Sequence, residues 1–147
     1  MIWVCRSGRN SCYYSKYIEK GRIYLPWDGY NLDLSKYALL EEFRPVVAKE
    51  KETDNRTSIS NWAGQLFSFV KQMNVDDYVL IPTPHSLSYT FGRITGEYQY
   101  CAEDSLHHSR SVEIIKEHIP RTAFPQYIQY SLGAYRTVFH PRYMKKK

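Results

Sequence analysis

The chain has 147 residues, a length typical of one domain, and its 43% hydrophobic and 16% aromatic residues suffice for a packed core, which argues against disorder. No apolar run reaches the length of a membrane span, and the residues after Met1 lack the apolar block of a signal peptide, so the sequence predicts a cytoplasmic protein without membrane contact. Its three cysteines form no Cys-x-x-Cys pair, which argues against both a disulfide framework and a zinc site. We predict no cofactor.

The net charge of +5 is distributed unevenly along the chain. Residues 1–22 carry five Lys or Arg against one Glu, and residues 105–147 carry eight against two, so the segment between them is acidic. Two basic ends predict a surface for a polyanion if the fold brings them together. Scattered solvated charge with a short basic tail at residues 145–147 explains the composition equally well.

The first half of the chain predicts short strands and helices in alternation. Gly21 suits the C-terminal end of a helix, Pro26 marks the end of a strand, and Asp33 suits a helix N-cap. In chain order we predict a strand at 2–6, a turn at 7–10, a helix at 12–19, a strand at 22–27, a helix at 34–48 and a loop at 49–57.

The second half contains the clearest helix, because Ile59, Trp62, Leu66, Val70 and Met73 fall at helical spacing and form one apolar stripe. After it we predict strands at 78–82 and 89–100, the latter bending at its glycines, a strand at 112–119, a helix at 124–131 and a strand at 137–139. These elements predict one mixed domain over residues 1–144, a twisted and partly closed sheet with helices packed on it.

The motifs of common enzymes are missing from the sequence. It contains no Gly-x-x-x-x-Gly-Lys phosphate loop and no Gly-x-Ser-x-Gly elbow, and no lysine has Asp, Glu or His two residues before it, as nuclease metal sites often require. His107 and His108 are adjacent and would point to opposite faces of a strand, which makes them poor chelators. The sequence therefore predicts a binding protein that is not an enzyme.

The aromatic residues are the more informative group, with three Trp and fourteen Tyr. Exposed rings of this kind stack on single-stranded or flipped bases. Trp27 ends a strand beside Pro26, a position that favours a pocket wall, whereas Trp62 lies in a helical stripe and fits the core at least as well. Tyr98 and Tyr100 share one face of a strand and fit either a stacking platform or an ordinary barrel wall.

A set of short motifs follows one another along nearly the whole chain: residues 3–9, 23–28, 64–66, 77–82, 92–100, 108–112, 120–121, 131–133 and 137–139, which read WVCRSGR, IYLPWD, GQL, DYVLIP, GRITGEYQY, HSRSV, PR, SLG and TVF. Each motif alone is weak, but the ordered set resembles the N-terminal domain of Mrr-like restriction endonucleases.

The resemblance implies an α+β fold of the PUA-like superfamily, close to the EVE and YTH domains, which hold a flipped or single-stranded modified base in an aromatic-lined pocket. Asp76 departs from it, because EVE domains have glycine at this position of the turn. Members of this type are usually followed by a nuclease domain, whereas this chain stops at Lys147. It is therefore either an excised specificity domain or a free-standing reader whose effector is a separate protein.

By this resemblance the partner is DNA that carries a modified base, recognised for a restriction or antiphage defence system. An RNA-binding module of the same fold and a protein-interaction domain remain alternatives. For the base pocket we predict Trp27, Asp28, Trp62, Asn61, Ser7 and Tyr89. For phosphate contacts we predict Arg6, Arg9, Arg93, Arg110 and Arg121.

Overall fold

The computed structural model describes residues 1–85, 87–134 and 136–141, and within them the chain folds as an α+β domain with one curled, mixed sheet. The predicted tail at 145–147 and the last residues of the predicted domain, 142–144, lie outside the described residues. The strands are β1 (Ile2–Cys5), β2 (Arg22–Tyr24), β3 (Tyr78–Pro82), β4 (Ser88–Ile94), β5 (Gln99–Tyr100), β6 (His108–Pro120) and β7 (Val138–Phe139). The α-helices are α1 (Tyr14–Lys20), α2 (Leu40–Lys51), α3 (Arg56–Phe67) and α4 (Gln126–Leu132).

The sheet has the strand order β2-β6-β4-β3-β1-β7, and β5 pairs with β6. Strands β1 and β3 run parallel, and the remaining pairs are antiparallel. The long strand predicted at 89–100 is divided into β4 and β5, both of which pair with β6. Pairing of β4 with β6 shifts in register on either side of Phe91, and such irregularities curl a sheet.

Glycine at position 92 lets β6 approach β4 at this bend. A Cβ atom on Gly92 would lie 2.9 Å from the carbonyl oxygen of Glu113, closer than side-chain atoms normally come to a backbone. The sequence predicted a bend at the glycines of this strand. At Gly92 the pairing with β6 is irregular, and the close approach of the two backbones explains why glycine is needed there.

Helix α1 ends as predicted, since Gly21 has the left-handed φ of 62° that suits glycine. The helix predicted at 34–48 begins later, at Leu40, so the prediction of Asp33 as its cap was wrong. The Asp33 carboxylate accepts a hydrogen bond from the Ser35 N–H in a local turn. The Glu42 carboxylate accepts hydrogen bonds from the N–H groups of Ala38 and Leu39, which fixes the start of α2.

Helix α3 begins before the apolar stripe because Asn55 caps it, accepting a hydrogen bond of 3.0 Å from the Ser58 N–H. The helical stripe predicted to reach Met73 continues through a π-helical turn at Ser68–Gln72. Its inward residues join the main core between the sheet and helices α1–α3. That core contains Trp3, Tyr17, Phe43, Leu66 and Phe69, each at most 1% exposed.

A second, smaller core covers the other face of the sheet, where α4 packs. It contains Val4, Leu80, Tyr89, Leu132 and Phe139. Strand β1 contributes to both cores, because successive side chains of a strand point to opposite faces. The segment that follows β1 therefore leaves the sheet between the two cores, next to β7, and this segment forms the centre of the candidate site.

Candidate nucleic-acid interface

The loop after β1, residues 6–11, turns sharply and presents polar groups to solvent. Gly8 has a φ of 89°, and a Cβ atom on it would lie 2.8 Å from the Tyr13 ring and 2.9 Å from the Cys12 sulfur. Asn10 and Ser11 also have positive φ, at 55° and 56°. Glycine is thus required at position 8, and the strained turn after it leaves Arg9 and Asn10 exposed.

A cavity of about 510 Å³ opens beside this loop, and we call it the indole cleft. Its volume lies in the range of roughly 300–1,000 Å³ that small-molecule sites occupy. The Trp27 and Trp62 rings form an aromatic corner, with centroids 4.6 Å apart and planes at 78°. The rest of the lining includes Arg6, Arg9, Asn10, Ser11, Pro26 and Thr137.

Hydrogen bonds to Thr137, just before β7, and to Val138 in β7 hold the indole corner in place. The Trp27 Nε1–H donates to the Thr137 hydroxyl at 3.2 Å. The Gln65 side-chain oxygen on α3 accepts from the N–H groups of Thr137 and Val138, at 2.8 and 3.0 Å. The Lys51 ammonium lies 3.9 Å from the Trp62 ring centroid and covers one face of that ring. One face of Trp62 is therefore occupied by a cation, while Trp27 contacts the Tyr30 ring with centroids 6.0 Å apart.

A second concavity of about 560 Å³, the arginine groove, continues from the indole cleft. The two share Arg6, Asn10 and Ser11 in their linings. The arginine groove extends to Arg121 and to Tyr89, whose ring packs edge-on against Phe124 with centroids 5.8 Å apart. Burial raises the pKa of the Tyr89 hydroxyl, so this phenol stays neutral at physiological pH.

A third concavity of about 370 Å³ lies between α3 and β7 and is called the α3–β7 groove. Its lining includes Gln65 and Val138, whose N–H donates to the Gln65 side-chain oxygen. Its polar lining is formed by Ser60, Asn61, Ser68, Gln72, Arg136 and His140, with Gly64 at the helix surface.

The described linings of these three concavities contain no Asp or Glu, although the chain contains 15 such residues, whereas a further concavity, lined by Tyr98 and Arg110 among others, includes Glu97. Arg6, Arg9, Arg121 and Arg136 are present in the three linings. Arg6 of the first basic segment and Arg121 of the second line one groove, so the fold brings these two arginines together. The basic residues at 142 and 145–147 lie outside the described residues.

Two of the five arginines predicted to contact phosphate, Arg93 and Arg110, do not line these three concavities. Arg110 is 4% exposed and donates to the carbonyl oxygens of Phe69, Val70 and Gly96 at 2.8, 3.0 and 3.3 Å, so its predicted phosphate contact was wrong. Two of these bonds pair the Phe69 and Val70 carbonyl oxygens in the helical turn that follows α3. Arg93 forms ion pairs with Asp76 and Glu113 and is not part of the three linings.

Arg6 is partly committed to the fold. Its guanidinium donates to the carbonyl oxygens of Leu132, Ala134 and Arg136, at 3.1, 2.7 and 3.1 Å. These bonds fix the segment between α4 and β7 while the side chain still lines two concavities. Arg9 is exposed, and Arg121 donates to the Gln129 carbonyl oxygen while lining the arginine groove.

The six residues predicted for the base pocket do not form one pocket. Trp27 and Trp62 meet in the indole cleft, Asn61 lines the α3–β7 groove and Tyr89 lines the arginine groove. Ser7 is 0% exposed and lines none of the three, so its predicted place in the pocket was wrong. Asp28 is exposed and also lies outside the three linings. Sequence reasoning missed Pro26, Thr137 and Arg136.

Tyr98 and Tyr100 belong to the wall of the fold. Tyr98 donates to His108 Nδ1 at 2.6 Å, and His108 Nε2 donates to the Tyr30 carbonyl oxygen at 2.8 Å. Tyr100 donates to the Asn31 side chain. Burial lowers the pKa of His108 to about 4, so the ring is neutral and both of its nitrogens are engaged. These contacts favour the wall over the stacking platform.

Residues 1–85, 87–134 and 136–141 contain no group of three His, Cys, Asp or Glu side chains placed to hold a metal ion. The same part of the chain contains no helix of the length and apolarity needed to cross a membrane.

Fold and site together define an α+β domain with an aromatic cleft and two neighbouring grooves, whose described linings contain arginines and no carboxylate. A family model described as a domain of unknown function, DUF8426, matches residues 3–135, and the chain belongs to this family. No curated protein and no solved structure matches the chain.

Proposed function

We propose that this chain is a nucleic-acid-binding domain that receives an extruded, modified DNA base in the indole cleft. One observation carries the proposal: the Trp27 and Trp62 rings and the Arg9 side chain meet in a cleft that has no carboxylate in its described lining. Aromatic rings bind the faces of bases, and arginines bind the phosphates beside them.

The energetics of base extrusion suit this cleft. Taking a base out of a duplex costs a few kcal/mol of lost stacking and pairing, and stacking on one aromatic ring returns about 1–3 kcal/mol. Contacts from the arginines add affinity that is independent of sequence. A base that is already weakened in its pairing costs less to extrude, which is one source of selectivity for altered bases.

The curled sheet, with helices on it, is compatible with the PUA-like fold of EVE and YTH type, and we propose that type for this domain. The ordered motifs that resemble Mrr-like restriction endonucleases support a role as the specificity domain of a restriction or antiphage defence system. The domain would recognise the base without catalysing a reaction, and a nuclease domain or a separate protein would act as its effector. The cytoplasm is the compartment in which such a reader meets DNA.

The decisive experiment is a binding screen over short labelled duplexes that differ in one central base: unmodified, N6-methyladenine, 5-methylcytosine or 5-hydroxymethylcytosine. We expect one modified duplex to bind at least about tenfold more tightly than its unmodified match, the discrimination given by roughly one additional stack or polar contact. Equal affinity for all four duplexes at moderate salt would contradict the proposal of a modified-base reader.

Matched oligonucleotides with the same bases on ribose test the choice of sugar, because the 2′-hydroxyl is the group that separates RNA from DNA. We expect DNA to bind more tightly. Tighter binding of the RNA would assign the cleft to an RNA-binding module of the same fold.

A further inference from the structure

Gly64 occupies an unusual position in α3. Glycine is the least favourable helix residue after proline, and interior positions are normally filled by other side chains. A Cβ atom added to Gly64 would meet no described atom within 4 Å, so close packing within the chain does not require glycine here. The residue is half-buried and lies on the wall of the α3–β7 groove. Its missing side chain keeps that groove open.

The chemistry of the α3–β7 groove suits an anionic ligand that is rich in hydrogen-bond acceptors. Asn61 and Ser60 supply amide and hydroxyl donors, and Arg136 supplies a cation, with no carboxylate among the described lining residues. Arg136 is exposed at its side chain, while its backbone is anchored by the Arg6 guanidinium. Sugar–phosphate backbone has this complementary character, with one negative charge for each nucleotide.

The groove also has the right place relative to the indole cleft. Thr137, which lines the indole cleft, and Val138, which lines the α3–β7 groove, are consecutive residues where the chain enters β7. The Gln65 side-chain oxygen accepts hydrogen bonds from the N–H groups of both residues and so links the linings of the two concavities. A strand whose base enters the indole cleft therefore has its adjoining phosphates within reach of the groove.

We propose that the α3–β7 groove holds the sugar–phosphate backbone beside the extruded base, and that Gly64 allows this backbone to approach the helix closely. The inference rests on the proposed function and assigns the path of the strand through the same site. If glycine were needed at position 64 for folding, replacing it would destabilise the protein. If it is needed for binding, replacing it should weaken binding and leave the protein at least as stable.

The test uses the complete chain, a short fluorescein-labelled oligodeoxythymidylate at low salt, and thermal melts of every variant. Gly64→Ala and Gly64→Gln introduce better helix formers into open space, so we expect Tm to rise by about 2–4 °C. We expect Gly64→Gln to weaken binding by roughly three- to tenfold, about the effect of losing one or two phosphate contacts. Thr57→Gln is the matched control, because Thr57 is exposed on α3 and lies outside the three linings. It should bind as the wild type does.

The outcomes separate the two proposals. If Gly64→Gln binds as tightly as the wild type while Trp27→Ala loses affinity, the groove is empty in the complex and the inference is overturned, whereas the indole cleft keeps its role. A fall in Tm for Gly64→Ala would also overturn it, because glycine would then serve the fold. If the wild type binds neither this oligonucleotide nor any duplex of the screen, both proposals fail together.

Discussion

At the scale of the residue, Trp27 decides whether the indole cleft reads a base. Its ring is half-buried, donates to Thr137, contacts Trp62 edge-on and packs against the main core, so stability must be measured together with binding. We predict that Trp27→Ala lowers the preference for the modified duplex by about 1–3 kcal/mol, the value of one lost stack, and that Trp27→Phe retains part of it. The measurement is the ratio of Kd values for modified and unmodified duplexes.

A thermal melt of the same Trp27 variants serves as the control. If the ring is a core residue, its truncation costs roughly 3–5 kcal/mol of stability and binding is lost by unfolding. A folded Trp27→Ala protein with unchanged preference would remove Trp27 from the pocket.

Arg110 shows the opposite case, a cation whose role is in the fold. Its guanidinium is buried and donates three hydrogen bonds to backbone carbonyls, and removing it takes these donors out of a buried region. We predict that Arg110→Met lowers the free energy of unfolding by at least about 3 kcal/mol. Urea denaturation measures this loss, with Arg44→Met on the exposed face of α2 as the control. A variant as stable as the wild type, with weaker DNA binding, would return Arg110 to the interface.

At the scale of the element, His108 joins the start of β6 to the segment before α2. The folded ring is neutral because burial depresses its pKa to about 4, whereas an unfolded histidine has a pKa of 6.5. Between these values the unfolded chain binds a proton that the folded chain does not, so stability falls as the pH falls. We predict a loss of roughly 2–3 kcal/mol between pH 7 and pH 4.5.

Urea midpoints at the two pH values measure this loss. His108→Gln keeps a donor for the Tyr30 carbonyl oxygen and removes the titrating group, so its stability should change little over the same range. A wild type as stable at pH 4.5 as at pH 7 would show that His108 is protonated without cost in the fold.

At the scale of the whole molecule, the converging arginines should make binding sensitive to salt. With Arg6, Arg9, Arg121 and Arg136 near phosphates, log affinity should fall with log salt at a slope of about −3 to −4. We predict that Arg9→Gln makes the slope less steep by about one and affects all duplexes alike, because a phosphate contact carries no information about the base. Kd values at four salt concentrations measure it.

Arg93→Gln is the matched control for this experiment, since it removes the same charge from a residue already paired with Asp76 and Glu113. It should leave the slope unchanged. A flat salt dependence of the wild type would favour a protein partner over a nucleic acid.

The sequence by itself determined those features that depend on neighbours along the chain. Periodicity identified the stripe of α3, a short apolar run after a turn identified β3, Gly92 indicated the bend within β4, and Gly21 identified the end of α1. The aromatic content led to the prediction of a base-binding site, and the Ser-Gly-Arg-Asn sequence predicted the turn after β1. Two indoles of the predicted pocket lie together in the structure, although one of them was expected to fit the core at least as well.

Only the tertiary structure decided which charges and polar groups face outward. The sequence gives no sign that Arg110 is buried, because its three partners are backbone carbonyls more than a dozen residues away, and any arginine in a strand has the same local pattern. Ser7 is buried next to the turn at Gly8 and does not reach the indole corner. Asn61 lines the α3–β7 groove, whereas its neighbour Trp62 lines the indole cleft, because successive residues of a helix point in different directions. Thr137 and Arg136 reach the site only because β7 pairs with β1, a contact between the two ends of the chain. Pairings of this range depend on the whole fold, and no local pattern encodes them.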